Sequence, residues 1–180
     1  MLFLNSLLSK NMNSIGRLQY DIKNINDIFK VISDKRNIKK REKEIIKTYF
    51  KKGWPIYGYY EEVEEKGKGG LLETTAKLVG FCVIKYPKTR PETLTVVLSE
   101  FRNKSVARVI RDYAIGDRKF KGNLVYSDVH ISNPASLKSV LNSKFQVFDF
   151  TKDGYIHLIK VLPYLEEDTL STEFDLFVLK

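Results

Sequence analysis

The chain has 180 residues, 31 of them Lys or Arg against 22 Asp or Glu, for a formal net charge of +9; 43 % is apolar and 12 % aromatic. That length fits one domain with a short appendage, and the apolar share supports a sizeable core and excludes a disordered chain. A single cysteine excludes a disulfide framework or a cysteine-built zinc site, two histidines leave little capacity for a metal, and no apolar run reaches the ~18 residues of a membrane span.

Residues 1–10 are apolar but carry no basic region ahead and no small-x-small cleavage site, so they read as a short capping helix or a poorly ordered end rather than a signal peptide, and the chain as cytoplasmic. Residues 17–24 alternate at Leu18, Tyr20 and Ile22 and predict a first strand. Asn26 and Asp27 are candidate N-caps for a helix carrying Ile28, Phe29, Val31 and Ile32. A second helix over 38–52 places Ile38, Ile45, Ile46, Tyr49 and Phe50 on one side and stops at Gly53. That helix is strongly basic. A solvated face with Glu42 and Glu44 as local partners explains it better than a polyanion surface, because no aromatics interleave on its polar side to stack bases.

Residues 55–61 predict an aromatic strand, 61–70 a charged, Gly-rich hairpin connection or flexible loop, and 77–85 an apolar strand that buries Cys82 as an inert thiol. Tyr57, Tyr59, Tyr60 and Glu61 are read as core or edge residues first and as liners of a binding site second. A fourth strand ends at Leu98. A basic turn follows, and then a helix with Val106, Val109, Ile110, Tyr113 and Ala114 at stripe spacing. Residues 116–122 break the pattern. Residues 124–131 form a fifth strand with Val125, Ser127, Val129 and Ile131 on one face and Tyr126, Asp128 and His130 on the other. Asn133 caps a helix that has Pro134 at its first position. Residues 145–150 and 155–161 make a hairpin across Asp153-Gly154. The acidic stretch 166–168 sets off a tail in which 174–180 offers one more edge strand, a candidate for pairing between two copies as a homodimer.

The chemistry concentrates where the fourth strand turns into a helix. The first amides of a helix have no partner within it, and with the positive end of its dipole they hold phosphate. Arg102 and Lys104 add cationic help there. On the fifth strand His130 is a candidate general base, with Asp128 and Tyr126 beside it; the alternative is that His130 bonds the turn at Ser132 and Asn133.

Three segments, in order, resemble the GNAT family of acetyl-CoA-dependent N-acetyltransferases. Residues 79–84 are similar to its third strand. Residues 99–107 (Ser-Glu-Phe-Arg-Asn-Lys-Ser-Val-Ala) resemble its Pro-Glu-Tyr-Arg-Gly-Lys-Gly-Val-Gly pyrophosphate loop. Asn133-Pro-Ala-Ser, ending at Phe145, resembles its second cofactor motif. The resemblance implies an α/β (α+β) fold: a central mixed, mostly antiparallel twisted sheet of about seven strands, flanked by helices and splayed between the fourth and fifth strands. It implies a domain over 17–162, with a 1–16 extension and a 163–180 tail. It further implies acetyl-CoA, with the pantetheine arm along Val96, Val97 and Leu98. The pyrophosphate would sit by Arg102, Asn103, Lys104, Ser105, Val106 and Ala107, and the acyl end near Asn133 and Ser136, with no metal.

The sequence departs from the family at Ser105 and Ala107, which stand in the loop's two glycine seats (the family admits Ala at the second), at Asn103 after Arg102, at Lys144 in the glycine seat before Phe145, and at Val140, where a tyrosine often protonates the leaving thiolate. Three functions compete. The first is an N-acetyltransferase acting on an unspecified amine, whether small molecule, protein or nucleic-acid-linked. The second is a catalytically inactive binding or structural protein of that fold. The third is a nucleic-acid-binding or -modifying protein, for which only the charge and the basic helix speak.

Overall fold

The computed structural model describes residues 14–19, 22–33, 40–66, 70–86, 90–117 and 123–163. In chain order these form β1 (Ser14–Arg17), α1 (Ile22–Ser33), α2 (Lys40–Lys51), β2 (Ile56–Lys66), β3 (Leu72–Lys85), β4 (Glu92–Val97), a 3-10 turn (Ser99–Phe101), α3 (Val106–Gly116), β5 (Leu124–His130), α4 (Pro134–Asn142), β6 (Gln146–Phe150) and β7 (Tyr155–Val161). The strands make one seven-stranded sheet in the order β1-β2-β3-β4-β5-β7-β6. Every neighbouring pair is antiparallel except β4 and β5, which run parallel and share a single register pair, Glu92 with Tyr126. The mixed, mostly antiparallel sheet flanked by helices is the architecture expected above.

Alternation along the strands sends successive side chains to opposite faces. Phe81, Leu94 and Val96 face Ile32 of α1 and Ile45, Ile46 and Tyr49 of α2. On the other face Gly80 lies under α3, where a Cβ would stand 2.9 Å from the Ile110 Cδ1 and 3.1 Å from the Val96 carbonyl; only glycine admits this approach of helix to sheet. Val125, Ser127 and Val129 are buried on β5, as the alternation predicted.

Several boundaries differ from expectation. β1 lies at Ser14–Arg17 rather than 17–24, because its partner strand pairs there (Ile15 with Tyr59, Arg17 with Tyr57), and α1 begins at Ile22, ahead of the predicted caps. Residues 61–70 are expected to be a hairpin connection or loop; the hairpin is present, but its strands run further, with 61–66 in β2. Glu61 through Lys66 pair with Lys77 through Leu72, so a charged, exposed ribbon extends past the edge of β1. On α3 the buried residues are Val106, Ile110, Arg111, Ala114 and Ile115, while Val109 and Tyr113 are exposed. Tyr57 and Tyr59 are buried on the α3 face and serve the core. The predicted edge strand over 174–180 lies outside the described residues.

Candidate functional site

The gap between β4 and β5 organises the site. The Tyr126 N–H donates to the Pro91 carbonyl at 2.9 Å, and beyond Glu92 and Tyr126 the two strands diverge. The wedge therefore has a closed end at Glu92 and Tyr126 and opens toward Val97 and His130. The Leu98 N–H donates to the Val79 carbonyl at 2.9 Å, so Leu98 and, by alternation, Val96 direct their backbone groups to β3. The groups turned into the gap belong to Thr95 and Val97. Of the three residues expected along the pantetheine arm, Val97 turns its backbone into the gap, and Val96 and Leu98 flank it. The Thr93 hydroxyl is buried beside the gap with no hydrogen-bond partner among the described residues. Thr95 Oγ1 donates to Cys82 Sγ at 3.4 Å, and burial pushes the Cys82 thiol up to about 11.

At the open end the chain turns through Arg102–Ser105 into α3. Asn103 and Ser105 have φ of +63° and +61°, and Ser105 occupies the N-cap position of α3 in that left-handed conformation without a side-chain cap bond. The Val109 N–H donates back to the Ser105 carbonyl at 3.0 Å. The preceding amides, of Val106, Ala107 and Arg108, find no acceptor among the described residues. Arg102 Nε donates to the Val97 carbonyl at 3.2 Å, which draws the guanidinium back over the mouth of the gap. The Lys104 ammonium lies 4.8 Å from the Phe101 ring, and Glu100 is held by Lys77 at 3.0 Å.

Across the gap, Asn133 caps α4 as predicted, accepting from the Ser136 N–H at 3.1 Å through Oδ1. Val140 is fully buried. Lys144 follows the helix with φ +65°. Arg111, hidden in the sequence by its charge, crosses from α3 to α4: Nη1 donates to the Ser139 carbonyl at 3.0 Å and to Ser143 Oγ at 2.9 Å, and burial lowers its pKa.

On the α1 and α2 side, the closed end of the gap carries a charged and aromatic cluster. Glu92 is buried and paired with Lys85 at 3.3 Å and Arg90 at 3.0 Å. Arg90 stacks on the Tyr126 ring at 5.0 Å and reaches Asp128 Oδ2 at 3.7 Å. Asp128 Oδ1 lies 2.7 Å from Nδ1 of His157, its register partner on β7. His130 is turned elsewhere: Ser132 contacts its Nδ1 through N–H at 3.2 Å and Oγ at 2.7 Å, the local bonding considered as the alternative above. Of the three sequence candidates, the structure thus gathers Tyr126 and Asp128 with Arg90, Glu92 and His157 and leaves His130 at the turn. His157 escaped the sequence because its link to Asp128 exists only through the β5–β7 register. Beside Leu94 and Val96, an apolar pocket of about 140 Å³ opens under α1 and α2.

No protein-family model matches the sequence, and no curated protein matches it. Solved structures match in fold. A GNAT-family acetyltransferase from Bacillus cereus superposes with TM-score 0.64 at 14 % identity, covering 85 % of this chain and 99 % of its own. The ribosomal-protein-S18-alanine N-acetyltransferase of Escherichia coli gives 0.62 at 12 %, covering 87 % and 98 %. A GNAT-superfamily phosphinothricin acetyltransferase from Sinorhizobium meliloti, solved with acetyl-CoA, gives 0.60 at 11 %, covering 83 % and 88 %. At these identities the likeness is one of fold: the chain has the GNAT fold.

Proposed function

We propose that the chain is an acetyl-CoA-dependent N-acetyltransferase that acts on an amine by direct acyl transfer. The observation that carries this reading is the conjunction at the open end of the β4–β5 gap. Three acceptor-less amides, of Val106, Ala107 and Arg108, lie there with Arg102 and Lys104 beside them, next to strand groups of Thr95 and Val97 that no neighbouring strand takes up. A pyrophosphate fits the first set and the amides of a pantetheine arm fit the second. The unpartnered Thr93 hydroxyl supplies a further polar contact within the gap. Ser105 takes a left-handed backbone conformation, and its hydroxyl, unused as a cap, is a donor to the same anion. Asn133 and Ser136 frame the α4 side of the gap.

Acetyl-CoA supplies an acyl thioester open to attack by an amine. The chain's own contribution is to hold that group in the gap, keep the amine on its line of approach, and receive protons. The apolar pocket beside Leu94 and Val96 supports an acceptor with an apolar body next to its amine. The test is a thermal shift with acetyl-CoA and with CoA. Binding to the folded state raises the midpoint by mass action, and Arg102→Glu is expected to abolish the rise while leaving the unliganded midpoint in place. No rise at millimolar cofactor would overturn the reading. One observation favours a catalytically silent protein of the same fold: Val140, buried, has no proton to give the leaving thiolate. A midpoint rise without turnover of any amine supports that second reading.

A further inference from the structure

We infer that the Asp128–His157 pair is the proton acceptor for the incoming amine, with His157 Nε2 as the base and Asp128 as the residue that orients it. This rests on the N-acetyltransferase reading above. The pair spans β5 and β7 as direct register partners, 2.7 Å apart between Oδ1 and Nδ1. A carboxylate accepts only, so Nδ1 carries the ring proton and the lone pair of the neutral imidazole is on Nε2. The two side chains are 31 % and 19 % exposed, enough to meet a ligand and too little to be freely solvated.

Place and tautomer both single out His157. Asp128 stands two residues beyond Tyr126, where the gap begins to open, and on the face away from α3. An arm that enters from the α3 N-terminus runs toward this closed end, and its reacting carbon is then approached from the Asp128 side. His130 has the opposite tautomer: the Ser132 N–H donates to its Nδ1, so Nε2 bears the proton, and that nitrogen lies against Gly154, where a Cβ would be 3.1 Å away.

The charged groups facing His157 come from every side. They are Asp128 on β5, and Arg90 and Glu92 at the start of β4, which reach it through Asp128 Oδ2. Asp149 lies opposite it in the β6 register, and Asp153 in the β6–β7 turn feels its charge. The Phe148 ring, 6.0 Å from the imidazole, covers it without offering a proton.

The step balances. His157 Nε2 takes one proton from the ammonium R–NH3+ and frees the nitrogen lone pair. That pair forms the C–N bond at the thioester carbonyl as the C–S bond breaks. The thiolate takes the proton shed by the new amide nitrogen, and His157 returns its own to solvent.

The test uses the full chain in three measurements. The acetyl-CoA thermal shift, done on wild type and His157→Gln, reports the N-acetyltransferase reading alone; its failure in both sinks that reading. The second measurement needs no turnover. The chain has two histidines, so a nitrogen–proton NMR spectrum of the imidazoles, assigned with His130→Gln, shows whether His157 carries its proton on Nδ1 and whether a downfield proton there disappears in Asp128→Asn. A His157 protonated on Nε2 when neutral overturns the proposal. The third follows thiol release from acetyl-CoA with water alone and with a panel of primary amines from tyramine to spermidine. His157→Gln is expected to lose about a hundredfold in kcat/KM at neutral pH, with no acidic limb left in the profile. The defect shrinks as pH rises toward the amine's own pKa, because a free amine needs no base. A defect equal at all pH values, an unchanged rate, or a wild type that binds acetyl-CoA yet releases thiol no faster than buffer would each overturn it.

Discussion

Arg111 Nη1 donates to Ser143 Oγ at 2.9 Å, and this bond joins the middle of α3 to the C-cap of α4 inside the protein. Among the described residues no carboxylate forms an ion pair with the guanidinium, and its Nε finds no acceptor. A buried cation is tolerated when its donors are met and costly when one is stripped of an acceptor. Ser143→Ala is therefore expected to cost about 1.5–3 kcal/mol in urea unfolding, the range for a hydrogen bond to a charged group. Arg111→Met, which fills the space and removes the charge, should cost less than Ser143→Ala. If the methionine variant is the less stable of the two, the guanidinium is a net stabiliser and this account of the joint is wrong.

The left-handed residues yield a second expectation. Asn103, Ser105 and Lys144 have φ of +63°, +61° and +65° and comprise the non-glycine residues with positive φ among those described. All three stand where the motifs the sequence resembles carry glycine, the residue that takes this conformation without steric cost. Lys144 is the residue after the α4 C-cap: its N–H meets the Leu141 carbonyl at 2.9 Å and the Phe145 N–H the Val140 carbonyl at 3.5 Å, the bonding of a helix that ends through a left-handed residue. A side chain in that region costs roughly 1–2 kcal/mol, partly offset by the greater entropy glycine loses on folding. Lys144→Gly and Ser105→Gly are each expected to raise stability by about 0.5–1 kcal/mol. A lower melting temperature for both would show that the strain had been relieved in some other way.

These contrasts show what was legible in the residues. The β5 faces were, because Val125, Ser127 and Val129 alternate strictly and the period-2 signal is local. The Asn133 cap was, because its side chain acts on an amide three residues away. Arg111 was not, because a charged residue at the i+4 position from Ala107 reads as solvent-facing until the α4 acceptors are in place. The 61–66 ribbon was not, because its glutamates read as loop while the pairing with residues 72–77 makes it strand. His157 was invisible for a deeper reason. β7 inserts between β5 and β6, so the partner of Asp128 is set by strand order and not by nearness in sequence.

Val140 offers a third prediction. It is 1 % exposed under α4, so the tyrosine that a proton donor would require has no space. Val140→Tyr is expected to destabilise by about 1–3 kcal/mol or more through overpacking and to leave thiol release no faster than wild type. A stable Val140→Tyr variant with faster thiol release would mean that the α4 side of the gap repacks readily and that the missing phenol limits the reaction.

Cys82 gives the last. The thiol is fully buried on β3, accepts from Thr95 Oγ1, and is pushed up to about 11 by burial from a reference of 9.0. Native protein should therefore resist iodoacetamide at pH 8.5 and react only through opening, with the rate rising sharply in urea. The linkage has a definite sign. Between about pH 9 and 11 the unfolded cysteine has lost its proton and the folded one has kept it, so the unfolded state binds fewer protons and stability falls as pH rises, by up to ~1.4 kcal/mol per unit. Burial raises Tyr57 and Tyr86 as well, which adds to the fall in the same direction at higher pH. Cys82→Ala should lower stability at pH 7 by leaving a small cavity, yet flatten the decline between pH 9 and 11 relative to wild type. Rapid stoichiometric labelling of the native protein, or a decline equally steep in the alanine variant, would show that the thiol is not held protonated by the core.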